Sequence, residues 1–174
     1  MENTTSDTHL PIEYSTLLNP SSIKIEGTST LHNWKSDAKD FSVKAKRHGS
    51  IISVQAMVQV ASIKSGNSIL DKKTIRSLKG KEFPTILLNA RDLSIRNDQK
   101  IIGSGELTVA GKTQTLPLDL SLSSSADGSI NVCADISINM TDFGIKPPVA
   151  LMGTIRAGEV IVLKLDISLS GETV

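Results

Sequence analysis

The chain has 174 residues, 39% of them apolar, with 19 Lys or Arg against 18 Asp or Glu and a formal charge of +1. That length supports one domain with a substantial core, and a near-neutral charge excludes the basic field that recruits nucleic acid. Apolar runs of a few residues fall far below the roughly 20 that a membrane-crossing helix needs, and the lone Cys133 excludes an internal disulfide and a multi-cysteine metal site.

In chain order, the start MENTTSDTHLPIEY has neither a basic stretch nor an apolar one. No secretory signal is read in it, and cytoplasmic and exported locations both stay open. Residues 1–20 are polar and carry Asn19-Pro20, which predicts a flexible N-terminal arm with order beginning near Ser22 and one domain over residues 21–171. Ile23 and Ile25 alternate with Lys24 and Glu26, and GTSTLHNW after them suits a second strand or a bulged continuation. This places His32 and the single tryptophan, Trp34, on the same side of an extended segment.

The period of two then recurs. Ile52, Val54, Ala56, Val58 and Val60 share one face, as do Leu116, Leu118, Leu120 and Leu122. Ile130, Val132, Ala134, Ile136 and Ile138 form another such face, and Ile161, Leu163, Leu165, Ile167 and Leu169 the last. PTILLNARDLSI and IIGSGELTVAG read as strands as well, with Gly103 and Gly105 marking a bulge or close packing. Tight turns are expected at 109–112, 126–128 and 157–158.

One stretch departs from this pattern. Asn67 or Ser68 as N-cap, apolar Ile69, Leu70, Ile75 and Leu78, then Gly80 and Pro84, predict a helix over 68–79. Its Lys72, Lys73, Arg76 and Lys79 read as a solvated face or as a contact for anionic lipid headgroups. About eight one-faced strands and one short helix predict an all-β fold, and an eight-stranded antiparallel barrel buries the apolar faces while removing the edges. A sandwich would satisfy the same pattern.

Catalytic patterns are missing. No Gly-x-Ser-x-Gly occurs, and Asp142-Phe143-Gly144 lacks the Gly-rich and catalytic loops that would make it a kinase motif. It reads as a turn instead, so no enzyme is expected. His9, His32 and His48 are too dispersed for zinc, so no metal is expected either. His32 and Trp34 admit two readings. They supply a ligand with a hydrogen bond and an apolar wall, or they satisfy a carbonyl and plug a barrel end. Met140, Phe143, Leu151 and Met152 form the most apolar loop region, a gate or a plug.

IEGTSTLHNW, KSGNSILDKKTIRSLKGKEFPTILL, GELTVAGKTQTLPLDL and MTDFGIKPPVALMGTIRAGEVIVLKLDISL follow one another in an order that resembles the YceI-like family, over Ser22 to Leu169. The resemblance implies a lipocalin-like barrel that binds polyisoprenoid chains without catalysis and sits in the periplasm or elsewhere outside the cytoplasm. It implies no required cofactor, with an isoprenoid quinone or polyprenyl lipid as the bound apolar ligand. The candidate ligand-binding set is His32, Trp34, Phe83, Met140, Phe143, Leu151 and Met152. The alternative is an interaction protein whose barrel is filled by its own side chains and whose loops meet a protein partner. Loop-mediated homodimers stay open in either case.

Overall fold

The computed structural model describes residues 10–97 and 99–173. In chain order its strands are β1 (Ile12–Ser29), β2 (Trp34–Ala38), β3 (Phe41–His48), β4 (Ile51–Gln59), β5 (Ile63–Lys64), β6 (Thr85–Arg96), β7 (Lys100–Val109), β8 (Lys112–Ser124), β9 (Ile130–Asn139), β10 (Val149–Ala150) and β11 (Ile155–Thr173). Among the described residues a single α-helix, α1 (Ser68–Ser77), is inserted between β5 and β6. Antiparallel pairing runs β1, β3, β4, β6, β7, β8, β9, β11, and β11 pairs back onto β1. Eight strands thus close into a lipocalin-like barrel. Three short strands attach to it: β2 on β1, β5 on β2 and β10 on β11.

Every apolar face read from the alternation points inward. Ile52, Leu118, Leu120, Leu122, Ile130, Ile167 and Leu169 are buried, and Val54, Ala56, Val58, Val132, Ile136 and Leu165 pack against them. At one end the hairpin turns and the Ile12↔Thr173 pair surround a solid plug of Tyr14, Leu93, Ile95 and Leu122, with Leu93 0% exposed. At the other end lie α1, residues 30–33 and residues 140–154. Among the described residues no helix is long and apolar enough to cross a membrane.

Four local expectations differ from the structure. The arm expected over residues 1–20 is strand in its second half: Ile12 to Leu17 pair with Thr173 to Ser168, and Ile12 to Ser15 also pair with β3. Residues 1–9 lie outside the described residues. The cause of the misreading is a bulge at 18–21, which sets four residues of β1 against one of β11. Inward positions are Ile12 and Tyr14 before it and Ile23 and Ile25 after it, so the parity of the alternation inverts and the period is lost to inspection. Ser21 anchors the bulge, its hydroxyl accepting from the Ser168 N–H at 2.9 Å.

His32 is not in an extended segment. Residues 30–33 turn, because the Ser29 hydroxyl accepts from the N–H groups of Leu31 and His32, and β2 begins only at Trp34. Ala157-Gly158 is not a turn but part of β11, at a register shift where Ser29 faces Ala157. Gly158 is required there because a Cβ would overlap the Thr28 hydroxyl. The helix ends at Ser77 rather than at 79, since Lys79 takes a left-handed φ of 51°. The remaining turns follow their residues: at 110–111 both φ values are positive, 49° and 78°, the tight hairpin geometry that matches strand twist.

Candidate functional site: an apolar cavity inside the barrel

Only five aromatic side chains serve the whole chain, so the barrel interior is built from aliphatic residues. They leave space. A lower cavity of about 140 Å³ lies between the walls of β3, β4, β7, β8 and β11, and every residue that lines it is Ala, Val, Ile or Leu. No side chain there can hold a water molecule, and such a void stays dry and accepts apolar groups. Above it lies a second cavity of about 130 Å³; Ile86, Leu107 and Leu163 border both. The upper cavity has three hydroxyls, Ser36, Thr74 and Ser77, among aliphatic and aromatic walls. A third space of about 360 Å³ forms the mouth and shares Trp34, Ser36, Thr74 and Pro148 with the upper one. Here Lys35, Lys73, His32 and two further hydroxyl-bearing residues, Ser29 and Ser65, join the lining. Polarity therefore rises from the plugged end to the mouth. Two larger and more open concavities, of about 500 and 770 Å³, lie among charged and polar side chains such as Glu13, Lys44, Lys46 and Arg91 in one and Glu26, Lys35 and Glu159 in the other.

Local chemistry positions the mouth elements. Asn67 caps α1, its Oδ1 accepting from the Ile69 and Leu70 N–H groups at 3.0 and 3.2 Å. The Asp71 carboxylate accepts from the Ser65 N–H at 2.8 Å and from its hydroxyl at 2.7 Å, tying the first turn to the segment that leaves β5. These two hydrogen bonds hold its pKa below the ordinary carboxylate value. Thr74, Ser77 and Leu78 then face the upper cavity. On the opposite side Met140 to Phe143 form a short 3₁₀ turn, capped by Asn139 Oδ1 accepting from the Thr141 N–H at 3.0 Å. Gly144 ends it in the left-handed region at φ 68°, which carries Phe143 and Ile145 inward to 2% and 5% exposure.

Trp34 stands directly across from Gly27 in the β1–β2 pair. Its ring covers that glycine so closely that a Cβ at 27 would overlap it, and its Nε1–H donates to the Thr28 carbonyl at 2.9 Å. The indole is thus held in place where it lines both the upper cavity and the mouth.

The seven candidate residues divide into three groups. Trp34, Met140 and Phe143 line the upper cavity, and His32 lines the mouth, where its Nδ1 lies 2.8 Å from the Asn33 carbonyl. Phe83 is elsewhere, packed over Gly111 in the β7–β8 hairpin. Leu151 and Met152 stand on the rim, exposed to solvent, rather than in the cavities. The strand residues Leu107, Ile138, Ile161 and Leu163 also line the upper cavity; the alternation marks the last three as inward but does not single them out as a site, and it assigns Leu107 to no face.

Among the described residues no group of three or more His, Cys, Asp or Glu side chains is placed to hold a metal ion. Cys133 lies on the outer wall, where partial burial and then the neighbouring Asp166 carboxylate push its thiol pKa up. That is the reverse of what an activated thiolate needs.

The fold is shared with solved structures. BcnA of Burkholderia cenocepacia superposes with a TM-score of 0.77 at 15% identity, covering 89% of this chain and 99% of its own. A polyisoprenoid binding domain from Saccharophagus degradans, implicated in plant cell wall breakdown, gives 0.73 at 11% identity, with 91% and 98% covered. The YCEI protein of Campylobacter jejuni gives 0.67 at 20% identity, with 82% and 86% covered. At these identities the likeness establishes the fold alone. Among curated protein sequences no significant match is found. The YceI-like domain model matches residues 10–169, from just before β1 to the inward Leu169 near the end of β11, and the chain belongs to the YceI-like family.

Proposed function

We propose that this protein binds an elongated apolar molecule, an isoprenoid quinone or a polyprenyl lipid, with its tail in the barrel and its head at the mouth, and that it does so without catalysis. The observation that carries this reading is the line of three adjoining cavities, wholly aliphatic at the closed end and polar at the opening. Together they fall within the roughly 300–1,000 Å³ typical of sites that enclose a small ligand. The polyisoprenoid binding named for the Saccharophagus degradans domain supports the same ligand class.

Binding of this kind needs few polar contacts. Each CH₂ or CH₃ group taken from water contributes about 0.8 kcal/mol before ordering costs, so a tail of two or three isoprene units reaches useful affinity by burial alone. In this reading Trp34, Met140 and Phe143 form the wall around the part of the tail next to the head, and His32 meets the head itself. Family membership supports a location outside the cytoplasm, in the periplasm or beyond. The packed-barrel alternative has less support, because the interior is not filled.

Extraction of the protein purified from its own organism or a lipid-rich host, followed by mass spectrometry, tests the proposal. A stoichiometric isoprenoid is expected. A clean blank, repeated after incubation with quinones of several tail lengths, would overturn it in favour of the interaction protein.

A further inference from the structure

The open end of the barrel displays side chains that contribute nothing to the core. Leu31 and Ile69 are each 66% exposed and Leu151 71%, and Met152 is fully exposed, with Val149 beside them on β10. They come from three separate segments, residues 30–35, 65–79 and 140–157, that surround one opening. Leu151 and Met152 also have φ values of 46° and 56°. Residues with a side chain enter that region against steric cost, so the 3₁₀ turn at Leu151–Gly153 holds two large apolar groups outward in a strained backbone.

Charge is distributed to match. The three segments carry seven Lys or Arg and two Asp, while the whole chain is balanced at 19 against 18. Of the two acids, Asp71 is occupied by Ser65. Lys72 and Arg76 are exposed on α1, and Lys35 and Lys73 line the mouth itself.

From this combination we propose that the mouth docks on a bilayer containing anionic lipids, with Leu31, Ile69, Leu151 and Met152 entering the headgroup boundary and Lys72, Arg76 and their neighbours meeting lipid phosphates. An aliphatic rim within a basic ring fits a surface that is anionic outside and apolar beneath. A second copy of the chain does not fit, since two such rims repel face to face. Docked in this way, the cavity opens onto the membrane, and an apolar tail passes between bilayer and barrel without crossing water. The docking goes beyond the binding reading and does not depend on it.

The test is flotation of the protein with isoprenoid-free vesicles of phosphatidylcholine alone and of phosphatidylcholine with about one-third phosphatidylglycerol. Partition onto the anionic vesicles only, weakened by salt, is expected. Lys72→Gln with Arg76→Gln lowers it by roughly thirtyfold. Leu151→Ser with Met152→Ser also lowers it, while Lys24→Gln with Lys44→Gln on the outer wall leaves it unchanged. All three double variants change exposed side chains, so each melts like the parent, and each retains quinone binding in vesicle-free solution if the cavity reading is correct. Equal partition onto both vesicle types, or none, overturns the proposal. So does a dimer in solution that Leu151→Ser with Met152→Ser dissolves, which would assign the rim to a second copy.

Discussion

Ala56→Phe is the sharpest probe of whether a ligand tail reaches the closed half of the barrel. Ala56 lies inward on β4, paired with Val43 on one side and Leu88 on the other, and borders the lower cavity of about 140 Å³. A benzyl group there enters void rather than packed core, so the variant should keep its stability to within about 1 kcal/mol. It should also take up the room of about one isoprene unit. Five carbons at about 0.8 kcal/mol each make about 4 kcal/mol of burial lost, of which about 2–3 kcal/mol remains after the ordering cost of the tail is deducted. Long-tailed quinones should therefore bind roughly 30- to 150-fold more weakly, and short-tailed ones should bind as before. Trp34, the only tryptophan, borders the upper cavity and the mouth, so its fluorescence reports both titrations. A folded Ala56→Phe protein that binds long tails as tightly as the parent would refute the idea that the tail descends below Leu107 and Leu163.

Three further perturbations test the frame. Leu118→Asp places an unpaired charge at a position 2% exposed and should prevent folding; a soluble variant with a cooperative, parent-like melt would mean the inward face of β8 is misassigned. Gly27→Val should cost about 1–3 kcal/mol in denaturant melts and shift Trp34 emission, because its Cβ overlaps the indole; an unchanged spectrum would show that the ring does not rest there. Asp71 has a lowered folded pKa, so its bonds to Ser65 stabilise the fold fully above the ordinary Asp range and are lost as pH falls through the folded value. Asp71→Asn should thus lower Tm near neutrality and converge with the parent in acid, and a difference constant with pH would remove the carboxylate from that role.

The barrel was readable because period-two alternation survives wherever a strand is regular. β4, β8, β9 and the inner half of β11 show it plainly; their one-sided faces suit a barrel or a sandwich, and the pairing of β11 with β1 decides for the barrel. It was unreadable where the backbone changes the count. The bulge at 18–21 inverts the inward parity of β1, so Ile12 and Tyr14 do not continue the series of Ile23 and Ile25, and a paired strand looks like a polar arm. β3 escaped for another reason: its inward face is only Phe41, Val43 and Ala45 between lysines, too short and small to stand out. The site divides along the same line. Phe143 turns inward because Gly144 permits it, which the sequence signals, whereas Leu151 and Met152 turn outward on left-handed φ values that no glycine or asparagine announces. Loop polarity alone does not distinguish a wall from a rim.

The seam of the barrel lies between its first and last strands. β1 and β11 share the longest pairing in the molecule, yet more than a hundred residues separate them in the chain. Before β11 joins it, the folding chain can form at most seven barrel strands, an open sheet with an aliphatic concave face and two unpaired edges. Closure of so distant a contact is slow relative to local hairpins, and the intermediate is the species most exposed to aggregation. Truncations or stalls within β11 should therefore be far more damaging in a cell than their small loss of length suggests.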